Sequence, residues 1–68
     1  MKNIIITGVN GGMGKATAVK FASSGYHVFG LDIQPNTDIE NIEYYQCDIT
    51  NESRINEIYE DIKTKVEK

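Results

Sequence analysis

The chain has 68 residues, of which 40% are hydrophobic and 25% charged, and its net charge is −3. This length predicts one small domain, residues 1–68, which buries only about 60% of its unfolded surface. The acidic balance argues against nucleic acid as the main partner, because a phosphate backbone requires a basic face. No apolar run approaches the roughly 18 residues of a membrane span, so no membrane partner is expected.

Several single residues suggest ordinary structural roles. The one cysteine, Cys47, cannot form an internal disulfide and is expected to be a buried apolar residue in a reducing, cytoplasmic setting. His27 is expected to be exposed or hydrogen-bonded, and Asp38, Glu40 and Glu43 are expected to be solvated loop charges. No cluster of His and Cys has metal-ligand spacing, so no metal site is predicted.

The first half of the chain predicts a strand, a helix and a second strand. Three consecutive isoleucines make residues 2–7 a parallel strand that is buried on both faces. Residues 12–24 predict a helix, because small residues stand with Val19 and Phe21 among polar ones, and Gly25 stands where a C-terminal cap is expected; the small residues are Ala16, Ala18 and Ala22. Residues 26–32 predict a second strand that ends in an acidic residue.

The second half predicts a loop, a third strand and a long helix. Residues 33–41 form a polar loop and residues 42–47 a strand. From Thr50 or Asn51 the chain is helical to near its end, with Thr50 as a plausible N-cap. Its apolar stripe has 3-4-3-4 spacing and contains Ile55, Ile58, Tyr59, Ile62 and Val66. The C-terminal dipole of this helix suits Lys63, Lys65 and Lys68.

The order β-α-β-loop-β-α predicts an α/β fold with three parallel strands and two main helices. Crossovers between parallel strands are almost always right-handed. This arrangement is half of a doubly wound Rossmann fold, in which nucleotides bind beyond the carboxyl ends of the strands.

The turn between the first strand and the first helix is rich in glycine, and each of three glycines has a plausible role. Gly8 turns the chain sharply out of the strand, and Gly12 leaves out a Cβ where a pyrophosphate approaches. Gly14 permits close packing of the helix on the strand. A turn of this kind directs backbone N–H groups at phosphate.

Two other phosphate-binding motifs fit the turn poorly. A P-loop has four residues between its glycines, whereas five separate Gly8 from Gly14, and Ala16 follows Lys15 where a Ser or Thr is required. The pattern G-x-G-x-x-G does not match, because, counted from Gly12 and Gly14, its last glycine position is occupied by Thr17.

The pattern T-G-x-x-x-G-x-G does match residues 7–14, and it resembles the turn of short-chain dehydrogenases/reductases. Asp32 at the end of the second strand resembles the acidic residue with which that family holds the adenosine ribose. Residues 47–50, Cys-Asp-Ile-Thr, resemble the ending of the family's third strand. The resemblance covers nearly the whole chain in family order.

This resemblance implies a dinucleotide site with assigned roles. The three glycines would cradle the pyrophosphate, and Asn10 and Met13 would line the same turn. Asp32 would accept hydrogen bonds from the ribose hydroxyls, while Asp48 and Ile49 would frame the adenine. The resemblance also implies NAD rather than NADP, because a carboxylate at Asp32 repels a 2′-phosphate and Gly11 is not basic.

The catalytic residues of the family are not found in this chain. Tyr59 and Lys63 have the family's Tyr-x-x-x-Lys spacing, but Tyr59 lies on the apolar stripe and is expected in the core. The neighbouring carboxylates Glu60 and Asp61 disfavour a phenolate. No serine lies in a matching context, so no catalytic residue is assigned.

Three interpretations remain open. The chain resembles a truncated oxidoreductase, the NAD-binding N-terminal part without its catalytic half, inactive alone. Alternatively it is a self-associating assembly module with vestigial nucleotide binding, a homo-oligomer formed through the exposed edge of the first strand or through a last helix without a sheet face to cover. In the third, a partner chain supplies the catalytic half.

Overall fold

The structure is a computed structural model, and it describes residues 2–66. Its elements are β1 (Asn3–Thr7), α1 (Gly12–Ser23), β2 (His27–Asp32), β3 (Glu43–Gln46) and α2 (Glu52–Val66). The predicted order is confirmed, with element ends shifted by one or two residues. Neither of these two helices has the length and hydrophobicity of a membrane span.

The three strands form one parallel sheet in the order β1-β2-β3. Thr7 at the end of β1 pairs with Leu31, and Asp32 at the end of β2 pairs with Gln46. Parallel pairing therefore brings the carboxyl ends of all three strands to one edge of the sheet, where the glycine turn begins.

The central strand β2 supplies the core on both faces of the sheet, because successive side chains point to opposite sides. On the α1 side the buried residues are Val9, Ala18, Val28 and Ile39. On the α2 side they are Phe29, Leu31, Cys47, Ile58 and Ile62. The prediction that Cys47 is a buried apolar residue is confirmed. The expectation that the last helix lacks a sheet face is wrong, because β2 and Cys47 provide one.

The edge strand β1 is less covered than its sequence predicts. Ile4 and Ile6 pack against the cluster on the α1 side, but Ile5 on the other face is 49% exposed. Tyr59 is 55% exposed, so its predicted place in the core is also wrong. Ile58 and Ile62 direct α2 towards β2 and Cys47, which leaves a groove between α2 and β1.

The C-terminus of α1 is closed by backbone hydrogen bonds around Gly25, as the sequence predicts. The N–H of Tyr26 donates to the carbonyl of Phe21 at 3.0 Å, and the N–H of Gly25 donates to that of Ala22 at 3.2 Å. Gly25 has a φ of +88°, which a residue with a side chain rarely adopts. The rings of Phe21 and Tyr26 meet edge to face at 4.8 Å, completing a Schellman motif.

The N-cap of α2 is Asn51 and not Thr50. The Oδ1 atom of Asn51 accepts a hydrogen bond from the N–H of Arg54 at 3.1 Å, the usual geometry of an N-cap. The hydroxyl of Thr50 instead donates to Oδ1 of Asp48 at 2.7 Å. The prediction failed because α2 begins at Glu52, so Asn51 and not Thr50 precedes the first helical residue.

A cluster of charged and hydroxyl groups fastens the end of α2 to the start of β3. The ammonium group of Lys65 forms an ion pair with Glu43 and lies 2.9 Å from the hydroxyl of Tyr45 and 3.2 Å from Asp61. His27 Nε2 lies 3.0 Å from the other oxygen of Glu43, so the expectation of a hydrogen-bonded histidine is confirmed. Glu43 is thus a strand residue with partners on two elements, and the expectation of a solvated loop charge is wrong. Lys63 and Lys65 lie in the last turn as predicted, and Lys68 is outside the described residues.

These contacts lower the pKa of the carboxyl groups of Glu43 and Asp61. The hydrogen bond from Lys65 is the main cause at Glu43, and the hydrogen bond from the Tyr45 hydroxyl is the main cause at Asp61. The same bond to Glu43 raises the pKa of Lys65. A carboxyl group whose pKa is lower in the folded state stabilises the fold above its ordinary pKa, and this contribution disappears as the pH falls through the folded value.

We expect Lys65→Met to lower the unfolding free energy by less than about 1 kcal/mol near neutral pH, since partly exposed ion pairs are screened. Urea unfolding followed by circular dichroism would measure it. The difference from the wild-type chain should shrink as the pH falls below the ordinary values of 4.5 for Glu43 and 3.8 for Asp61. Lys63→Met is the matched control, because the ammonium group of Lys63 lies 4.0 Å from a carboxylate oxygen of Glu60, at the limit of an ion pair. A difference that stays constant through the acid range would contradict this account.

Candidate functional site

The glycine turn leaves the start of α1 accessible. After β1 the chain reverses at Gly8, whose φ is +66°, and the N–H of Gly11 donates to the carbonyl of Gly8 at 3.1 Å. Gly11 is the N-cap of α1, and it has no side chain with which to cap the first N–H groups of the helix. Unpaired N–H groups at a helix N-terminus favour an anion.

The other two glycines of the turn have different surroundings. A Cβ added at Gly14 would lie 2.3 Å from the carbonyl oxygen of Gly8 and 3.1 Å from the Cα of Val9, so this position admits only glycine without a shift of the backbone. A Cβ added at Gly12 would meet nothing within 4 Å. Gly14 is therefore required by packing within the turn, whereas Gly12 borders open space.

Asp32 lies directly against this turn. Its Oδ2 accepts a hydrogen bond from the backbone N–H of Asn10 at 2.9 Å, and its Oδ1 accepts one from the N–H of Ile33 at 2.7 Å. Each carboxylate oxygen can accept a second hydrogen bond. The carboxylate is thus fixed in orientation beside the turn, with capacity left for further donors such as hydroxyl groups.

A cleft of about 180 Å³ opens beside Asp32, between the ends of the three strands. It is lined by Gly8, Asp32, Ile33, Cys47, Asp48 and Ile49. Ile33 and Ile49 are exposed apolar side chains, and exposed apolar walls around a cleft suit a flat ring. Ile33 is not among the residues predicted from the sequence, although its position next to Asp32 indicates a place in the cleft.

Asp48 is an exposed rim residue of the same cleft. Its Oδ1 accepts hydrogen bonds from the N–H of Thr50 at 2.9 Å and from the hydroxyl of that residue at 2.7 Å. The bond from the backbone N–H is the larger cause that lowers the pKa of Asp48. The carboxylate is therefore ionised at neutral pH and held in one orientation.

The remaining predicted residues have surroundings outside the cleft. The side chain of Asn10 turns towards the loop between β2 and β3, where it bonds the carbonyl of Asn36 at 3.1 Å. Met13 is 88% exposed. Tyr59 and Lys63 do not line the cleft; the ammonium of Lys63 lies 5.7 Å from the centre of the Tyr59 ring.

Comparison with known proteins gives relatives of the same kind over most of the chain. The model of the short chain dehydrogenase family matches residues 2–68. The short-chain dehydrogenase/reductase olcF of Penicillium canescens is 46% identical over an alignment of 59 residues that covers 81% of this chain and 23% of that protein. The 3-amino-tetrahydro-pyrrolizinone reductase of Xenorhabdus hominickii is 33% identical over an alignment of 61 residues that covers 85% of this chain and 21% of that protein.

A solved structure shares the fold. A 4-hydroxyisoleucine dehydrogenase complexed with NADH matches with a TM-score of 0.83 and 29% identity, over 96% of this chain and 28% of that one. The predicted half of a Rossmann fold is therefore confirmed. The chain spans about a quarter of the length of these relatives. Because the family model covers every described residue and the fold agrees, the chain belongs to the short-chain dehydrogenase family.

Proposed function

We propose that this chain binds the adenosine diphosphate half of NAD, as the N-terminal cofactor-binding part of an oxidoreductase. One observation carries the proposal: the Asp32 carboxylate accepts the N–H of Asn10 at 2.9 Å, so the acid and the open glycine turn form one site. A similar fold, the 4-hydroxyisoleucine dehydrogenase, was solved with NADH bound.

Each part of the ligand has a matching partner. The diphosphate lies outside Gly12, where the first N–H groups of α1 and the positive end of its dipole favour negative charge. The two hydroxyl groups of the adenosine ribose donate hydrogen bonds to the Asp32 carboxylate. The adenine lies between the side chains of Ile33 and Ile49, with Asp48 at its edge. Met13 is exposed beside the diphosphate position, and the side chain of Asn10 faces the loop between β2 and β3.

The same carboxylate gives the preference for NAD over NADP. A 2′-phosphate would replace one ribose hydroxyl and place its negative charge beside Asp32, which repels it. The turn itself offers no basic side chain, since Gly11 stands at its centre.

The reduction or oxidation of a substrate is not assigned to residues 1–68. Hydride transfer is the chemistry that the nicotinamide supplies when the cofactor is bound. Tyr59 and Lys63 lie on α2 away from the cleft, so we assign them no role in proton transfer. We also propose a cytoplasmic location, because a reducing compartment suits the free thiol of Cys47.

A second candidate function, self-association, is favoured by an apolar groove beside the edge strand β1. The groove measures about 170 Å³ and lies between β1 and α2. Ile5, Ile49 and Tyr59 line it and are exposed. An edge strand without a charged side chain is a template for pairing with another chain. We propose a second copy of the chain as the occupant, with β1 or α2 at the contact.

Asp32→Asn should weaken NAD binding about 10- to 100-fold, the range expected for losing hydrogen bonds to a charged group. The affinity for NADP should fall less, so the preference for NAD narrows. Calorimetric titration with NAD, NADP and ADP-ribose measures both effects. Asp38→Asn is the matched control, because Asp38 pairs with Lys15 on the surface at 3.0 Å and is not in the cleft. Equal loss in the two variants would refute the role of Asp32.

Gly12→Ala should lower the affinity for the ligand, whereas Gly14→Ala should lower the stability of the fold. The methyl group at Gly12 points into open space, so thermal stability should be kept while affinity for ADP-ribose falls about 10-fold or more through a clash with the diphosphate. The methyl group at Gly14 meets the carbonyl of Gly8, which should lower the unfolding free energy by about 1–3 kcal/mol. If Gly12→Ala binds as well as the wild-type chain, the diphosphate does not lie at this turn.

Ile5→Lys should abolish self-association, because it places a charge in the apolar groove. Light scattering after size exclusion would report the mass at several protein concentrations. Val19→Lys is the control, since Val19 is also an exposed apolar residue but lies on α1. A wild-type chain that remains a monomer at the highest concentration tested rules out the second candidate.

A further inference from the structure

The side chain of Asn10 connects the glycine turn to the loop between β2 and β3. Its Nδ2 donates to the carbonyl of Asn36 at 3.1 Å and lies 3.3 Å from the hydroxyl of Tyr44 and 3.4 Å from Oε1 of Gln34. Its Oδ1 accepts the hydroxyl hydrogen of Thr37 at 2.6 Å. One amide therefore joins the turn to residues that are 24 to 34 positions away in sequence.

Tyr44 holds the same loop from the side of the sheet. Its hydroxyl donates to the carbonyl of Gln34 at 2.5 Å and lies 3.3 Å from the carbonyl of Asp32. Residues 34–37 contain no helix or strand, so these side-chain bonds from Asn10 and Tyr44 are what fix the course of the segment. Thr37 continues the network, since its hydroxyl accepts the N–H of Ile39 at 3.2 Å.

The backbone of Asn10 acts on the acid that begins this loop. Its N–H donates to Oδ2 of Asp32 at 2.9 Å, while its side chain holds residues 34–37 immediately beyond. We propose that Asn10 is a positioning residue, which joins the glycine turn, Asp32 and residues 34–37 into one rigid rim for the adenosine ribose. This inference rests on the proposed function and assigns Asn10 a different role from lining the diphosphate.

The chemistry of this position requires an amide. Asn10 gives a hydrogen to the carbonyl of Asn36 and accepts one from the hydroxyl of Thr37, and an amide does both at once. A carboxylate would keep the acceptor but would face the carbonyl of Asn36 without a hydrogen to donate. If the rim is free to move, the ligand must order it on binding, and that ordering lowers affinity.

Titration of the full chain with ADP-ribose tests the proposal. Asn10→Ala should weaken the binding of ADP-ribose about 5- to 10-fold, and Tyr44→Phe should weaken it by a smaller factor. Asn56→Ala is the matched control, because Asn56 is exposed on α2, and it should change nothing. Thermal unfolding establishes that each variant is folded. If Asn10→Ala is unfolded, the affinity of Tyr44→Phe is compared with that of the wild-type chain instead.

The decisive comparison repeats the substitution in the Asp32→Asn background. If Asn10 acts by positioning the acid, Asn10→Ala should weaken binding less than about twofold when the acid is already absent, since contacting residues give non-additive effects. A purely structural contribution would weaken binding equally in both backgrounds, and that result overturns the proposal.

Amide hydrogen exchange without ligand separates this proposal from the proposed function. The N–H groups of Ile33 and Ile39 are bonded to Asp32 and Thr37, and Asn10→Ala should speed the exchange of both. Unchanged exchange at Ile33 and Ile39 overturns the positioning role whatever the chain binds. A wild-type chain that binds no nucleotide while Asn10→Ala speeds exchange refutes the proposed function and leaves Asn10 as the residue that orders the rim.

Discussion

The site depends on one constraint, the parallel pairing of β1 with β2. In this register Thr7 lies beside Leu31, so the turn that follows β1 and the acid that ends β2 leave the sheet side by side. The hydrogen bond from the N–H of Asn10 to Asp32 is the local result. An antiparallel pairing would send the glycine turn and the acid to opposite ends of the sheet. The direction of the strands therefore determines which end of the sheet can hold the proposed dinucleotide.

Coverage of the sheet is uneven, and this divides the molecule into a well-packed part and an open part. The central strand β2 is covered by α1 and α2, and Val28 and Phe29 on its two faces are fully buried. The outer strand β1 has its α1 side covered, but Ile5 faces the groove beside α2. The apolar groove and the cleft share Ile49, so a partner that fills the groove would also contact a wall of the proposed adenine site.

Local sequence was sufficient to predict the elements and the glycine turn, because each depends on neighbouring residues, and Asp32 was predicted from its place at the end of the second strand. Prediction from local sequence failed where a residue's contacts depend on other segments of the chain. Thr50 has the chemistry of an N-cap but bonds Asp48, and Asn51 caps the helix instead. The exposure of Ile5 and Tyr59 depends on how far α2 reaches across the sheet, which spacing along one helix does not fix. The side chain of Asn10 bonds residues that follow it by more than 20 positions, and no local pattern indicates them.

The cluster around Lys65 and Glu43 lies where β2 and β3 begin, whereas the glycine turn and Asp32 lie where strands end. The ion pairs that fasten α2 and the groups proposed to hold a cofactor thus occupy opposite poles of a sheet whose strands are only four to six residues long. Substitutions in the Lys65 cluster are therefore expected to leave the geometry of the glycine turn and of Asp32 unchanged.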